Sequence, residues 1–431
     1  MKVVFLCGGI GRRMFPITKD KCLLDFLGKT LLEHQIDKAR KAGLNKFVFI
    51  CNQQNISEIK SICERVRVDA EYAVQKEPKG MADALLSAEE IISGDETLLV
   101  NPDDLFDSSI YSKVLEERRK GGFDSYITGY RVKSYFPGGY LILGDSGELK
   151  GIYEKPPVGS EPSDLVNIVV HLHVETKRLI DQIKSTKSAK DDVYERALTE
   201  MTRKGAKVKV VPYDGRWVSI KYPWNILDAV EYFLDSQPDS MISSEAYVSD
   251  KATVSGKVIF EEGVKVLEGA VVKGPCYIGR NTVVGNNSLV RDYSHIGCDC
   301  VIGYSTEVKH SYIGNSSLFH SNYIGDSVIS DNCLFGDRAL TANVRLDRKT
   351  VNVTIAGKKV DTERVKLGAI VGEESSIGVG SLLMPGVKIG PKSVVGPGVV
   401  LDKDLEPNSK IILKQTYKIK TQQILSENWK S

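Results

Sequence analysis

The stretch Val283-Val284-Gly285-Asn286-Asn287-Ser288-Leu289-Val290-Arg291-Asp292-Tyr293-Ser294-His295-Ile296-Gly297-Cys298-Asp299-Cys300-Val301-Ile302 repeats itself every six residues. Aliphatic side chains fall at Val284, Val290, Ile296 and Ile302, and a small residue, Ser288, Ser294 or Cys300, follows four places on. Outward from there the register extends back through Ile278, Val272, Val266, Phe260 and Val254 to Val248 and forward to Val308. It resumes at Val371, Ile377, Leu383, Ile389, Val395 and Leu401. A period of six is neither the 3.6 of a helix nor the 2.0 of a strand. It marks a solenoid whose short strands each send one side chain to the axis, with small residues at the tight corners. A β-sandwich with accidental spacing does not give so long an uninterrupted run, so the C-terminal half is expected to be a parallel β-helix.

The chain has 431 residues, room for two or three domains, and its 58 basic and 56 acidic residues leave a net charge of +2. That balance argues against nucleic acid as a partner. No apolar run approaches the roughly 18 residues of a membrane span, and Met1-Lys2-Val3-Val4 leads straight into a strand, so a cytoplasmic protein is expected. The eight cysteines lack CxxC spacing; Cys276 and Cys300 are explained by the small-residue corners, and Cys298-Asp299-Cys300 has no further metal ligands near it. Reduced thiols are expected.

In the first half, apolar segments at 2–7, 46–51, 69–74 and 97–101 alternate with amphipathic ones at 30–42 and 81–93, closed by Gly43 and Gly94. This order predicts an α/β domain with a mostly parallel sheet and ligands at the carboxyl ends of its strands. At the first such end stands Gly8-Gly9-Ile10-Gly11-Arg12-Arg13-Met14-Phe15-Pro16-Ile17-Thr18, then Lys21-Cys22-Leu23-Leu24. The spacing fits neither a P-loop nor a dinucleotide-binding fingerprint. Its glycines still let backbone N–H groups approach phosphate oxygens, with Arg13 and Lys21 at hand to neutralise them.

The string resembles the GGxGTRxxPxT…KxLL signature of sugar-1-phosphate nucleotidylyltransferases, and further stretches follow in that family's order. The resemblance implies a Rossmann-like domain over 1–235 in which Gly8, Gly9, Gly11, Gln75 and Gly80 hold the nucleotide. It implies that Arg13 and Lys21 act on the phosphates, Asp103 of Pro102-Asp103-Asp104 binds Mg²⁺, and Gly139, Glu154, Lys155 and Asn167 hold the sugar. Its substrates would be a nucleoside triphosphate and a sugar 1-phosphate. The chain departs from the pattern where a WxDxGxP-like motif is usual: Trp217-Val218-Ser219-Ile220-Lys221-Tyr222-Pro223-Trp224 has Ser219 at the second metal-ligand position. A neutral hydroxyl is a poor Mg²⁺ ligand. Arg12, Asp20 and Val169 also replace usual residues, so catalysis with Asp103, aided by Asp104, and a catalytically retired domain that binds a sugar nucleotide both stay open.

A helix over 224–236 is expected to join the halves, and a polar excursion over 344–366 interrupts the coils; its length and basic charge suggest a cover for a phosphorylated ligand. The coil tract resembles the hexapeptide-repeat acyltransferases, whose left-handed β-helices form trimers and bind acyl-CoA between prisms. The residues His320-Ser321-Asn322-Tyr323, Asn343 and Lys349, with Arg291 and Lys309, resemble the acetyltransferase half of the bifunctional enzymes that acetylate glucosamine 1-phosphate, archaeal members above all. The resemblance implies His320 as general base, acetyl-CoA as donor, and sugar-phosphate contacts from Arg291, Lys309, Tyr323, Asn343 and Lys349. A histidine titrating near neutrality suits the deprotonation of an amine. His295 and His310 are expected to be packed or surface residues. Leu334-Phe335-Gly336-Asp337-Arg338-Ala339 departs from the acyl-CoA segment Asn-x-Gly-Ala-Gly-Thr. The expectation is thus a homotrimeric bifunctional enzyme with its β-helix domain over 236–431. Its rivals are a single-function nucleotidylyltransferase with an oligomerising β-helix and a non-catalytic scaffold subunit.

Overall fold

The computed structural model describes residues 1–145 and 147–420. Thr97–Val100, Lys2–Leu6, Lys46–Cys51 and Asp69–Val74 lie side by side in that order, all parallel. Connecting helices Leu31–Lys41 and Ile56–Val66 lie between them in sequence, as alternating strand and helix require. The first helix begins with a reciprocal cap: Thr30 Oγ1 accepts from the Glu33 amide at 3.3 Å, and Glu33 Oε2 accepts from the Thr30 amide at 2.8 Å. The stretch 81–93 forms two helices, Met81–Ser87 and Glu89–Ile92, where one was expected. The Ser87 hydroxyl donates to the Ala84 carbonyl at 2.6 Å and so competes with the backbone ladder at the break.

Beyond Thr97–Val100 the sheet turns antiparallel through Leu165–His173, which also pairs with Ser125–Arg131. Gly8, Gln75 and Asp103 therefore emerge at one edge, just past the carboxyl ends of three of these four parallel strands.

From Met241 the chain winds through three parallel sheets of eight, nine and eight short strands among the described residues, the left-handed β-helix expected from the repeat. Val248, Val266, Val284 and Ile302 lie in register, one turn apart, and the axial aliphatics form one continuous core. The break in the sequence period after Val308 has a local cause: the partner of Val308 is Ile324 and that of Ile313 is Ile329, so these turns are shorter than the turn from Val284 to Ile302. The coils continue to Lys410–Ile411, past the last periodic residue, Leu401.

Along one prism face the outward residues Ile259, Tyr277, His295, Tyr312, Val328 and Ile370 are buried, because this face docks on the first half. They share a cluster with Met14, Ile17 and Phe26 of the glycine-loop region and with helix Asn225–Asp235. His295, stacked at 4.6 Å on Tyr277 and 4.9 Å on Tyr312, accepts from the Leu27 amide at 3.2 Å, and burial lowers its pKa to about 3.

The excursion docks against the other domain. Its hairpin, Asn352–Ile355 with Lys358–Asp361, buries Val351, Val353 and Ile355 in that same interdomain cluster, and Arg364 pairs with Asp228 on the helix. Alternation sends the apolar side chains of its first strand to one face, and burying them against the other domain is more favourable than leaving them in water.

Candidate active sites

At the end of Lys2–Leu6 the chain turns through Gly8, Gly9 and Gly11 into a short 3₁₀ turn at Arg12–Met14. Gly8 has a specific reason to lack a side chain, since a Cβ there would overlap Gln75 Oε1. Gln75 is 4% exposed and its amide donates to the Gly80 carbonyl at 3.1 Å and to Asp83 Oδ2 at 2.8 Å. Gly80 has φ +96°, and Asp191 packs where its Cβ would stand. Gln75 and Gly80 are thus held together at one end of a cleft of about 470 Å³ whose walls include Arg13, Lys21, Asn101, Asp103 and Lys221.

Lys21 is ion-paired with Asp103 and also donates to the Ile220 carbonyl at 3.3 Å. Asp20 is structural: it accepts from Asn52 at 3.1 Å and Asn55 at 2.7 Å, and Asn55 in turn donates to the Cys7 carbonyl at 2.8 Å, which braces the loop. Asp104, next to Asp103, is held by donors of the protein. It is 4% exposed, accepts from Asn101 at 2.9 Å and the Trp217 indole at 3.2 Å, and burial raises its pKa. Both of its carboxylate oxygens are engaged inside the protein, and Ser219 lies directly across the ladder from it.

Lys221 is a residue that the sequence reading missed. It occupies the glycine position of the departing motif and lines both this cleft and the adjoining one of about 220 Å³. Burial lowers its pKa to about 7 against the pull of Asp104. The adjoining cavity is walled by Gly139, Glu154, Lys155, Asn167 and Glu195. A Cβ on Gly139 would sit 2.7 Å from Asn167 Oδ1 and 3.0 Å from Glu154 Oε2, so glycine lets these two polar groups converge. Lys155 Nζ pairs with Glu154 at 2.7 Å. Glu195, also missed, has its carboxyl pushed up to about 8 by burial and by the charge of Glu154, which leaves it protonated at neutrality and able to donate a hydrogen bond.

Residues 2–227 match the family described as nucleotidyl transferase. The chain belongs to this family. The likeness also runs through both halves: a bifunctional sugar-1-phosphate nucleotidylyltransferase/acetyltransferase of Sulfurisphaera tokodaii is 33% identical over 94% of this chain and 98% of its own. The bifunctional protein GlmU of Methanocaldococcus jannaschii is 31% identical over 95% of this chain and 97% of its own. This nucleotidyl transferase is accordingly an enzyme of the bifunctional nucleotidylyltransferase/acetyltransferase type. Among solved structures, UTP-bound UGPase from Acinetobacter baumannii is 20% identical over 55% of this chain and 94% of its own, with a TM-score of 0.47.

On the β-helix of this nucleotidyl transferase, Arg291 and Lys309 occupy successive rungs of one sheet, and Tyr323 lies on the next rung, opposite Glu307. Asn343 donates to the Tyr323 hydroxyl at 3.2 Å and to Asp326 Oδ2 at 2.5 Å, while Lys309 Nζ meets the same oxygen at 3.0 Å. The structure thus brings Lys309, Tyr323 and Asn343 together around Asp326. Arg291 pairs with Glu307 at 2.9 Å and with Asp292. His320 is exposed at a corner; its carbonyl accepts from Thr306 at 2.6 Å and its amide donates to Asn322 at 2.8 Å, which fixes the backbone there. Arg338 donates its amide to the Ser321 carbonyl at 2.9 Å, so the Asp337-Arg338 departure lies on the rung beside His320. Lys349 is exposed on the excursion, where its amide donates to Asp347 at 3.2 Å. His310 is neither a bare surface residue nor an apolar packing residue, contrary to expectation. It lies between Asp326 Oδ1 and Glu231 Oε1, each at 2.8 Å, because the shortened turns draw its corner against the domain-joining helix.

Proposed function

We propose that residues 1–235 transfer a nucleotidyl group from a nucleoside triphosphate to a sugar 1-phosphate and release pyrophosphate. Residues 236–431 transfer the acetyl group of acetyl-CoA to an amino-sugar 1-phosphate. The observation behind the first assignment is the pair of adjoining cavities: Gln75 and Gly80 at one end, Glu154 and Asn167 at the other, and Arg13 and Lys221 lining both. A phosphate oxygen of the sugar attacks the α-phosphorus and pyrophosphate leaves, so the enzyme's task is to hold two polyanions in line and offset the charge on the leaving group.

Arg13 and Lys21 bind triphosphate oxygens, Gln75 and the Gly80 backbone hold the base, and Asn167 with Glu154 orients sugar hydroxyls. Lys221 supplies a cation beside the site from which the second carboxylate ligand has gone. Asp103 fits Mg²⁺ as its one carboxylate, since this ion retains waters and takes phosphate oxygens as its other ligands; Asp104, with both oxygens engaged inside the protein, does not fit. When bound there, Mg²⁺ would neutralise phosphate charge.

In the second half, Lys309, Arg291 and Lys349 supply cations for the amino-sugar phosphate, Asn343 and Tyr323 bind its hydroxyls, and His320 accepts the proton of the attacking amine. A homotrimer is supported by an apolar stripe on a second prism face, where Val301, Leu318, Leu334 and Val394 are 37–42% exposed. No helix among the described residues is long and apolar enough to cross a membrane, and the cytoplasm is the proposed location.

The test pairs UTP, dTTP, GTP, CTP and ATP with glucose 1-phosphate, glucosamine 1-phosphate and N-acetylglucosamine 1-phosphate, and follows pyrophosphate release; free thiol released from acetyl-CoA reports the second reaction. Turnover in both assays is expected. Nucleotide binding without turnover, regained in Ser219→Asp, would instead mark a retired domain.

A further inference from the structure

The helix Asn225–Asp235 belongs to the nucleotidyl half, yet its side chains reach into the acetyl half. Asp228 takes Arg364 from the base of the excursion, Asp235 accepts from the Tyr293 hydroxyl at 2.8 Å, and Glu231 meets His310. Of these three, only the Glu231 contact continues, through His310 and Asp326, to Lys309 and Asn343. We propose that Glu231, acting through His310 and Asp326, is a positioning residue for acetyl transfer: it fixes the carboxylate that holds Lys309 and Asn343 in place for the amino-sugar phosphate. The inference rests on the reading that Lys309 and Asn343 bind that phosphorylated sugar.

Asp326 is the centre of the arrangement. It is 3% exposed, its φ is +48°, and Lys309 and Asn343 converge on one of its oxygens while His310 donates to the other. A buried carboxylate of this kind keeps one orientation only while each oxygen has its donor. Lys309, with its long flexible stem, is placed by that orientation more than by its own packing.

The donor on Oδ1 is an imidazole with carboxylates on both ring nitrogens. Burial disfavours its charge, but the hydrogen bonds to Asp326 and Glu231 outweigh this and raise its pKa to about 9. Both N–H groups therefore donate at neutrality. The charged groups around this pair are Lys309 on the prism, Asp228 and Arg216 in the nucleotidyl half and Arg364 on the excursion. Removing Glu231 frees the ring to turn or to lose its proton, and Asp326 loses a fixed donor. The acetyl site is therefore completed by the other domain, although no residue of that domain needs to touch the sugar.

The experiment measures acetyl transfer to glucosamine 1-phosphate by the full chain and by its Glu231→Ala, Glu231→Gln and Lys309→Ala variants, with pyrophosphate release followed in the same preparations. Losing one charge-assisted hydrogen bond should raise the KM for the amino sugar in Glu231→Ala by about tenfold, with the KM for acetyl-CoA and the pyrophosphate reaction within about twofold of the parent. The pH profile separates positioning from general damage. In the parent, the amino-sugar KM should rise as pH passes through about 9, where His310 loses its proton. In Glu231→Gln, which keeps an acceptor but removes a negative charge, that rise should move to lower pH. An unchanged amino-sugar KM in Glu231→Ala, or a parallel loss of both activities, would overturn the inference while the site reading stands, provided Lys309→Ala itself raises that KM. No effect of Lys309→Ala would withdraw the site reading and the inference together.

Discussion

The ammonium of Lys221 lies 3.4 Å from the centre of the Phe136 ring and 2.7 Å from the Pro137 carbonyl, at the seam between the two adjoining cavities. The ring and the carbonyl hold the cation in a place that burial makes unfavourable, and an arriving phosphate would favour its charge. Replacing Lys221 by Met should lower kcat/KM for nucleotidyl transfer by about 10- to 100-fold, the value of one charge-assisted contact. Because its pKa is lowered to about 7 and phosphate binding raises it, binding takes up a proton. The KM for the sugar 1-phosphate should therefore rise as pH increases above about 7, and the Lys221→Met variant should lose that slope.

Neighbouring carboxylates should respond in opposite ways. Asp103→Asn removes the carboxylate that pairs with Lys21 in the cleft, and pyrophosphate release should fall by about 10²-fold or more with thermal stability little changed. Asp104→Asn should mainly destabilise, by about 1–3 kcal/mol, because its new amide group faces the Asn101 donor in a buried site. Initial rates and melting temperatures of the two variants separate the roles.

His320→Ala should reduce acetyl transfer by about 10²- to 10⁴-fold, the range for a lost general base, and leave pyrophosphate release untouched. Equal acetyl transfer in parent and variant would favour a β-helix that serves only assembly.

Tyr312 is 5% exposed in the interdomain cluster, stacked on His295. Truncation to Ala should cost about 3–5 kcal/mol of docking between the halves. Calorimetry should then resolve two unfolding transitions where the parent shows one.

Much of the site was legible because its motifs are contiguous in sequence. Gly8, Gly9 and Gly11 with Arg13 occupy one turn at a strand end, and Glu154 and Lys155 are adjacent. Lys221 stands two residues past Ser219 in the departing motif, and sequence alone does not show that its ammonium faces the cavities. Asp191 and Glu195 carried no motif, and only the packing of Val193–Arg203 beside the sheet delivers Glu195 to the cavity of Glu154 and Asn167. The docking of the excursion was not legible, because basic composition says nothing about which face of a hairpin is buried.

The β-helix and the glycine-rich turn can be read from residue order alone, because a six-residue period and a run of glycines act through neighbours along the chain and need no distant partner. The surroundings of Asp104, Lys221 and His310 come from packing between distant segments. Glu231 and His310 stand 79 residues apart, and their meeting depends on how the shortened coils dock against the helix. Side chains of one type can be a surface charge, a ligand or a buried pair, and the choice is made by desolvation and by whichever groups folding brings within a hydrogen bond.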